Sequence, residues 1–357
     1  MHNYSGGEFI VMGIPGLTLD RQTVDIIKRV QPAGFILFAR NIKEPEQLRA
    51  LTDELRGALA DAGAPTPIIT IDQEGGRVSR LKEFAVEPPS AKQLTDFGDV
   101  SLIKEHGLIT GKLLRLFGFN LNLAPVLDTL VNEKNENSLK GRTYGTSNDQ
   151  VVQNATAFAQ AMKAEGVLCC GKHYPGYSMA NCDPHNDLPT VQRSMAELQE
   201  LEWKPFMTML PLLDMIMVGH VSYPQIDKSG LPASLSRTMV HKILREQWQF
   251  KGCTITDDMD MGAIKTGYGG ADAAASALKA GNDLMLVCHA IKSVPEIAAA
   301  LKRVSPEVLE QSHRRISELR SHLSAPEPFS LDVFKALDQQ TAELKAKVPV
   351  PTEAGSR

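Results

Sequence analysis

Eight short runs of apolar, β-favouring residues, separated by longer stretches of helical periodicity, restrict this chain to a small set of folds. The runs occupy residues 9–14, 34–39, 67–72, 119–128, 166–173, 215–221, 252–258 and 283–288. Between them lie segments such as "PEQLRALTDELRGALADAG", where Leu48, Leu51, Leu55 and Leu59 recur at helical spacing. A strand that is apolar throughout leaves no face for water, so these strands belong in a parallel sheet covered on both sides. Eight β/α units in 357 residues fit a single (β/α)8 TIM barrel better than an open doubly wound sheet. No linker rich in Gly, Ser or Pro divides the pattern, so residues 1–325 read as one domain. "SAPEPFS" then breaks it, and residues 326–357 predict a C-terminal helix, "LDVFKALDQQTAELKAK", followed by a frayed tail.

Composition excludes several classes of function. The 38 basic and 42 acidic side chains give a formal net charge of -4, the wrong balance for non-specific nucleic-acid binding. The N-terminus, "MHNYSGGEFIVMGIPG", lacks a basic region leading into a long apolar run. No stretch approaches the ~20 apolar residues of a membrane span. A cytoplasmic location is the expectation. Cys169, Cys170, Cys182, Cys253 and Cys288 show no CxxC spacing, which suggests reduced, buried thiols rather than disulfides or structural zinc.

In such a barrel, functional side chains sit just past the C-terminal ends of the strands. The third run ends in "IDQEGGRVSRL", which places Asp72, Gln73, Glu74 and Arg77 there. The fourth ends at Asp128 and leads to "KGRTYG" with Arg142, and the fifth ends in "GKHYPG" with Lys172 and His173. The sixth ends near His220, and the seventh ends in "TDDMDMG" with Asp257, Asp258 and Asp260. Each alone could be a cap, a surface ion pair or a core histidine. Together, at the same end of successive strands, they point to one site. Phosphate-loop, dinucleotide and HExxH motifs are absent, and no HxH follows the first strand, so neither cofactor nor metal is expected.

Taken together, "IDQEGGRVSRL", "LNLAPVLD", "GRTYG", "GKHYPG" with "DPHNDLP", "PASLS" and "TITDDMDMGAI" resemble glycoside hydrolase family 3. The likeness is greatest to its single-barrel bacterial β-N-acetylglucosaminidases of peptidoglycan recycling. It runs collinearly over roughly residues 5–320. The resemblance implies retention of configuration through a covalent glycosyl-enzyme, with Asp257 as nucleophile. Neighbouring strand residues alternate faces, so only one of Asp257 and Asp258 is expected to face the sugar. The implied acid/base is His185, oriented by Asp183, on the loop after the fifth strand; Pro184 biases Asp183 towards an extended conformation. A histidine titrates near neutrality without the burial that a glutamate would need.

The same resemblance makes Asp72 an acceptor for ring hydroxyls, and Arg142, Lys172 and His173 donors to them. Arg77 either joins them or braces the Asp72 loop, and Asp128 and His220 either line the floor or are structural. The implied activity is exo-cleavage of terminal β-linked GlcNAc from muropeptide-type saccharides, by a monomer without cofactor. A β-glucosidase, a phosphorylase using the same Asp257, and a non-enzymatic sugar-binding barrel are the alternatives. The chain departs from the family pattern at Tyr177, Ser178 and Pro184, where members commonly carry His, Gly and Ser.

Overall fold

A computed structural model describes residues 4–131, 138–180, 188–265 and 267–348. Eight parallel strands close into a barrel: β1 (Ile10–Gly13), β2 (Gly34–Leu37), β3 (Ile68–Ile71), β4 (Leu121–Asn122), β5 (Leu168–Tyr174), β6 (Met215–Val218), β7 (Cys253–Asp258) and β8 (Leu284–Val287). Each pairs with the next in sequence and β8 pairs with β1, so no edge is left unpaired. All eight predicted runs contain a strand. Every strand residue is buried except Asp257 and Asp258 at the end of β7, which are partly exposed. The barrel is therefore a (β/α)8 TIM barrel filled by apolar side chains and open to chemistry at one rim.

The fourth strand is far shorter than residues 119–128 suggested. Pro125 has no N–H for a ladder, and beyond Asn122 only Val126 forms a bridge, to Lys172. The chain still tracks β5, because Lys172 N donates to Pro125 O at 3.1 Å and Leu127 N donates to Lys172 O at 2.6 Å.

Two register shifts shape the rim. Along β5 and β6, Gly171 pairs with Ile216 and Tyr174 with Val218, so three steps on β5 face two on β6. Along β7 and β8, Ile255 pairs with Leu284 and Asp258 with Leu286, again three steps against two. An extra residue in a ladder breaks the strict alternation of side chains.

The outer layer follows its own local rules. Asp20 caps helix Arg21–Val30 by accepting from Thr23 N at 2.7 Å, and Ser147 caps Asn148–Ala164. Helix Val100–Leu116 crosses Asn148–Ala164 closely at Gly107, where a Cβ would lie 2.4 Å from the Phe158 carbonyl oxygen. The C-terminal helix, Leu331–Lys347, lies against Val100–Leu116. Phe334 meets Phe84 and Phe117 with ring centroids 5.4 and 5.6 Å away, and Lys347 reaches Glu105 at 2.9 Å. Residues 349–357, most of the expected tail, lie outside the described residues.

Candidate active site

A cavity of about 400 Å3 opens at the C-terminal ends of the strands, a size suited to one sugar ring and part of a second. Asp72, Arg77, Arg142, Lys172, His173 and Asp257 all border it. Asp183 and His185, the expected acid/base pair, lie outside the described residues, as do Cys182 and Pro184.

The polar wall is one connected network. Lys172, at the end of β5, is almost wholly buried, with Nζ 2.7 Å from Asp72 Oδ1 and 2.6 Å from Glu74 Oε1. Glu74 also takes a two-pronged grip from Arg142, Nε and Nη2 each at 2.8 Å. Asp72 Oδ2 accepts from Arg80 Nη2 at 3.2 Å. Burial by itself would raise both carboxyls. Lys172 and then Arg80 outweigh it at Asp72, which is held well below the usual carboxylate range. Arg142 and then Lys172 outweigh it at Glu74, which is lowered to about 2. Burial opposes the charge on Lys172 as well, yet Asp72 and Glu74 raise its pKa above the ordinary lysine value. The wall therefore stays ionised at neutral pH. Its donors and acceptors are fixed before a sugar arrives.

His173 and Lys172 are consecutive, are joined by a cis peptide bond and both line the cavity. Asp128, wholly buried at the end of the fourth strand segment, accepts from His173 N at 2.9 Å and from Nδ1 at 2.8 Å through the same oxygen. Its other oxygen accepts from Tyr177 N at 2.9 Å. With Nδ1–H committed to Asp128, His173 presents Nε2 to Arg142 Nη2, 3.4 Å away. Asp128 itself is not on the cavity wall; it orients the group that is.

Asp257 and Asp258 both border the cavity. They do so at the point where β7 shifts register against β8. The two carboxyls have different surroundings. Asp257 Oδ1 accepts from Asp258 N at 2.8 Å. Asp258 is tied to the barrel, since its Oδ1 accepts from Asp260 N at 3.0 Å and from Cys288 N at 3.1 Å. Burial, partly offset by those donors, raises the Asp258 pKa.

His220 braces the same strand end from outside the cavity. Its Nε2 lies 3.1 Å from the Asp258 carbonyl oxygen, which can only accept, so Nε2 carries the hydrogen. Nδ1 then accepts from Ser234 Oγ at 2.7 Å. Burial lowers the His220 pKa, consistent with a neutral ring. Asp260 caps the turn after β8 by accepting from His289 N and Ala290 N, both at 2.8 Å. Arg77 borders the cavity, but its Nε donates to Lys140 O at 3.0 Å and Nη2 donates to Ser138 O. It thereby ties the "KGRTYG" segment to the β3 loop. Tyr177 closes this side, with its hydroxyl 2.9 Å from Ser138 Oγ and its ring edge-on to His173. Met261 packs on the wall and Met259 is buried nearby.

Four residues at or beside the cavity lie outside the sequence expectations: Arg80, Phe38, Arg40 and His289. Arg80 lies inside the "IDQEGGRVSRL" motif, in which Glu74 is placed at the strand end without a role of its own. Phe38, after β2, stacks on His289, after β8, at a centroid separation of 5.5 Å. Arg40 sits over the Phe38 ring at 4.6 Å and holds His289 Nδ1 at 3.1 Å. Isolated residues at the ends of strands adjacent only through barrel closure leave no local motif to read.

Comparison with known proteins agrees with this architecture. Residues 6–319 match the family model described as glycosyl hydrolase family 3 N terminal domain. A β-hexosaminidase of Pseudomonas aeruginosa is 32% identical over 296 residues, covering 83% of this chain and 86% of that protein. Another, from Tolumonas auensis, is 33% identical over 289 residues, 78% of this chain and 82% of its own. Among solved structures, a family 3 β-N-acetylglucosaminidase from Paenibacillus sp. superposes with a TM-score of 0.88 at 30% identity, over 97% of this chain and 69% of that one. Native NagZ from Neisseria gonorrhoeae gives 0.78 at 26% identity, over 94% and 97%. A fungal multi-domain GH3 β-N-acetylglucosaminidase gives 0.93 at 27% identity over 98% of this chain, which spans 43% of that larger protein.

Proposed function

The chain belongs to glycosyl hydrolase family 3, and from that premise we propose that it is a retaining exo-β-N-acetylglucosaminidase acting on muropeptide-type GlcNAc–MurNAc compounds. The observation that carries this reading is the meeting of Asp257 with the ionised wall of Asp72, Glu74, Lys172 and Arg142 around one cavity. The similarity to β-hexosaminidases selects the N-acetylated sugar. Arg80, which borders the cavity beside the Phe38 ring, favours an aglycone carrying a carboxylate.

In the proposed cycle Asp72 accepts from ring hydroxyls and Arg142 donates to them, with Lys172 holding Asp72 in place. Asp257 attacks the anomeric carbon as the glycosidic C–O bond breaks. The departing oxygen takes a proton from His185, whose imidazolium Asp183 supports. Water, deprotonated by His185, then displaces Asp257 and restores both groups. Two inversions at carbon give net retention.

A panel of aryl β-glycosides of GlcNAc, glucose and xylose, each assayed with and without phosphate, tests the reading. The expected result is preference for GlcNAc, no dependence on phosphate, and no turnover by Asp257→Ala. Phosphate-dependent turnover would make the protein a phosphorylase, and preference for glucose would make it a β-glucosidase. A 2-fluoro sugar should label Asp257; a label on Asp258 would reassign the nucleophile. His185→Ala should slow substrates with poor leaving groups far more than activated aryl glycosides, and equal losses would remove it as the acid.

A further inference from the structure

The opposite end of the barrel carries a second, strongly cationic cavity. Its floor is set by Asp283, immediately before β8 and wholly buried. Asp283 Oδ2 accepts from Arg245 Nη2 at 2.6 Å and from Thr254 N at 2.8 Å, and Oδ1 accepts from Arg315 Nε at 2.8 Å. Thr254 is the second residue of β7 and Asp283 precedes β8, so this is the N-terminal face of the barrel, away from the catalytic rim. Above the floor is a cavity of about 320 Å3, bordered by Arg237, His241, Arg245, Lys279 and Arg315.

The fold accounts for only part of this charge. Arg245 fastens the start of β7 through its bonds to Asp283, Gly252 O and Phe250 O. Its side chain is 9% exposed, and its Nε–H is buried without a hydrogen-bond partner. Among the described residues Arg315 uses Nε alone, and neither terminal nitrogen has a hydrogen bond or ion pair. The side chains of Arg237 and Lys279 have no hydrogen bond or ion pair among the described residues, and both are exposed. His241 Nδ1 lies 3.2 Å from Glu246 Oε1 without hydrogen-bond geometry. Its pKa is lowered by burial first and then by Arg237, with Glu246 acting in the opposite direction. Four permanent cations from three helical segments thus border one cavity: Arg245 and Arg315 on the internal carboxylate of Asp283, and Arg237 and Lys279 exposed at its mouth, with Glu246 nearby. An anion among them would relieve their mutual repulsion.

We propose that this cavity is a binding site for a small phosphate-class anion, held by Arg237, Arg315 and Lys279. Two guanidinium forks and an ammonium arranged around a concave pocket match the several acceptor oxygens of a phosphoryl group. The volume suits a compact phosphate ester or diphosphate rather than a polymer. Arg245 forms the back wall.

The test uses the full chain with pyrophosphate as probe, at constant ionic strength, with the catalytic cavity saturated by GlcNAc. Millimolar pyrophosphate should raise the thermal midpoint by a few degrees, about the shift expected from ligand well above its Kd. Equal succinate should not. The double variant Arg237→Ser/Lys279→Ser, which removes no internal contact, should keep the midpoint and the glycosidase activity measured without pyrophosphate and should lose the response. No rise in the native protein would overturn the site. An undiminished rise in the double variant would place the binding elsewhere, and an equal rise with succinate would overturn the phosphate class.

Discussion

Replacing Lys172 with methionine asks whether its ammonium is what allows two carboxylates to lie buried beside one another. Methionine keeps most of the volume, so packing changes little. The lysine makes contacts of 2.7 Å to Asp72 and 2.6 Å to Glu74 with its side chain 2% exposed. A hydrogen bond to a charged group contributes ~1.5–3 kcal/mol, and breaking a buried pair from one side costs ~3–5 kcal/mol. Arg142 and Arg80 still serve the two carboxyls, which puts the loss at the lower end, about 3 kcal/mol at pH 7. Its pH dependence is more diagnostic. A carboxyl whose folded pKa is lowered contributes stability that is present above its unfolded pKa, near ~4. That contribution disappears as the pH falls towards the folded value, about 2 for Glu74. Without Lys172, burial is opposed less, both carboxyls titrate higher, and a bound proton relieves the variant as the solution is acidified. The gap in unfolding free energy should therefore narrow as the pH falls below ~4 towards about 2, as followed by urea denaturation at several pH values. A gap that does not change with pH, or one under ~1 kcal/mol at pH 7, would refute the reasoning.

Burial pushes Glu202 up to about 8, although Ser178 N donates to it at 2.9 Å. A folded pKa above the unfolded one makes stability fall as pH rises from about 4.5 to about 8. Glu202→Gln should flatten that slope in pH-resolved urea midpoints, and identical slopes would reject the shift. Asp258→Ala should lose about 1–3 kcal/mol because the Asp260 and Cys288 amides go unpaired, whereas Asp258→Asn retains an acceptor. Equal instability of the two in thermal melts would show that those amides are not what Asp258 supplies. Phe334→Ala should cost about 3–5 kcal/mol through its contacts with Phe84 and Phe117, and a loss within ~0.5 kcal/mol would mean that the C-terminal helix is not coupled to the barrel.

The strands and their polar ends were legible because both signals are local. An apolar run flanked by helical periodicity is a strand in almost any context, and its C-terminal neighbour is known once the fold is. Hence Asp72, Arg142, Lys172, His173 and Asp257 could be named before any contact was seen, and the structure gathers them around one cavity. Asp183 and His185 rest on the family resemblance. The roles of Asp128 and His220 were undecided in sequence, because a buried polar residue reads the same whether it faces a ligand or holds the side chain that does. Only the hydrogen bonds distinguish the cases: Asp128 fixes His173, and His220 fixes the carbonyl of Asp258.

Sequence by itself determined the barrel, since eight two-sided apolar strands have few other ways to be covered. It also determined which rim carries the polar groups. Tertiary structure alone decided which of those groups share a wall. Register shifts accompany the two places, Lys172–His173 and Asp257–Asp258, where consecutive residues border one cavity. They are set by pairing with a neighbouring strand some 30 to 45 residues away along the chain, so no local pattern records them. The same holds for Glu74 between Lys172 and Arg142, for Phe38 against His289, and for the cations gathered over Asp283. Each arises from elements brought together only when the barrel closes.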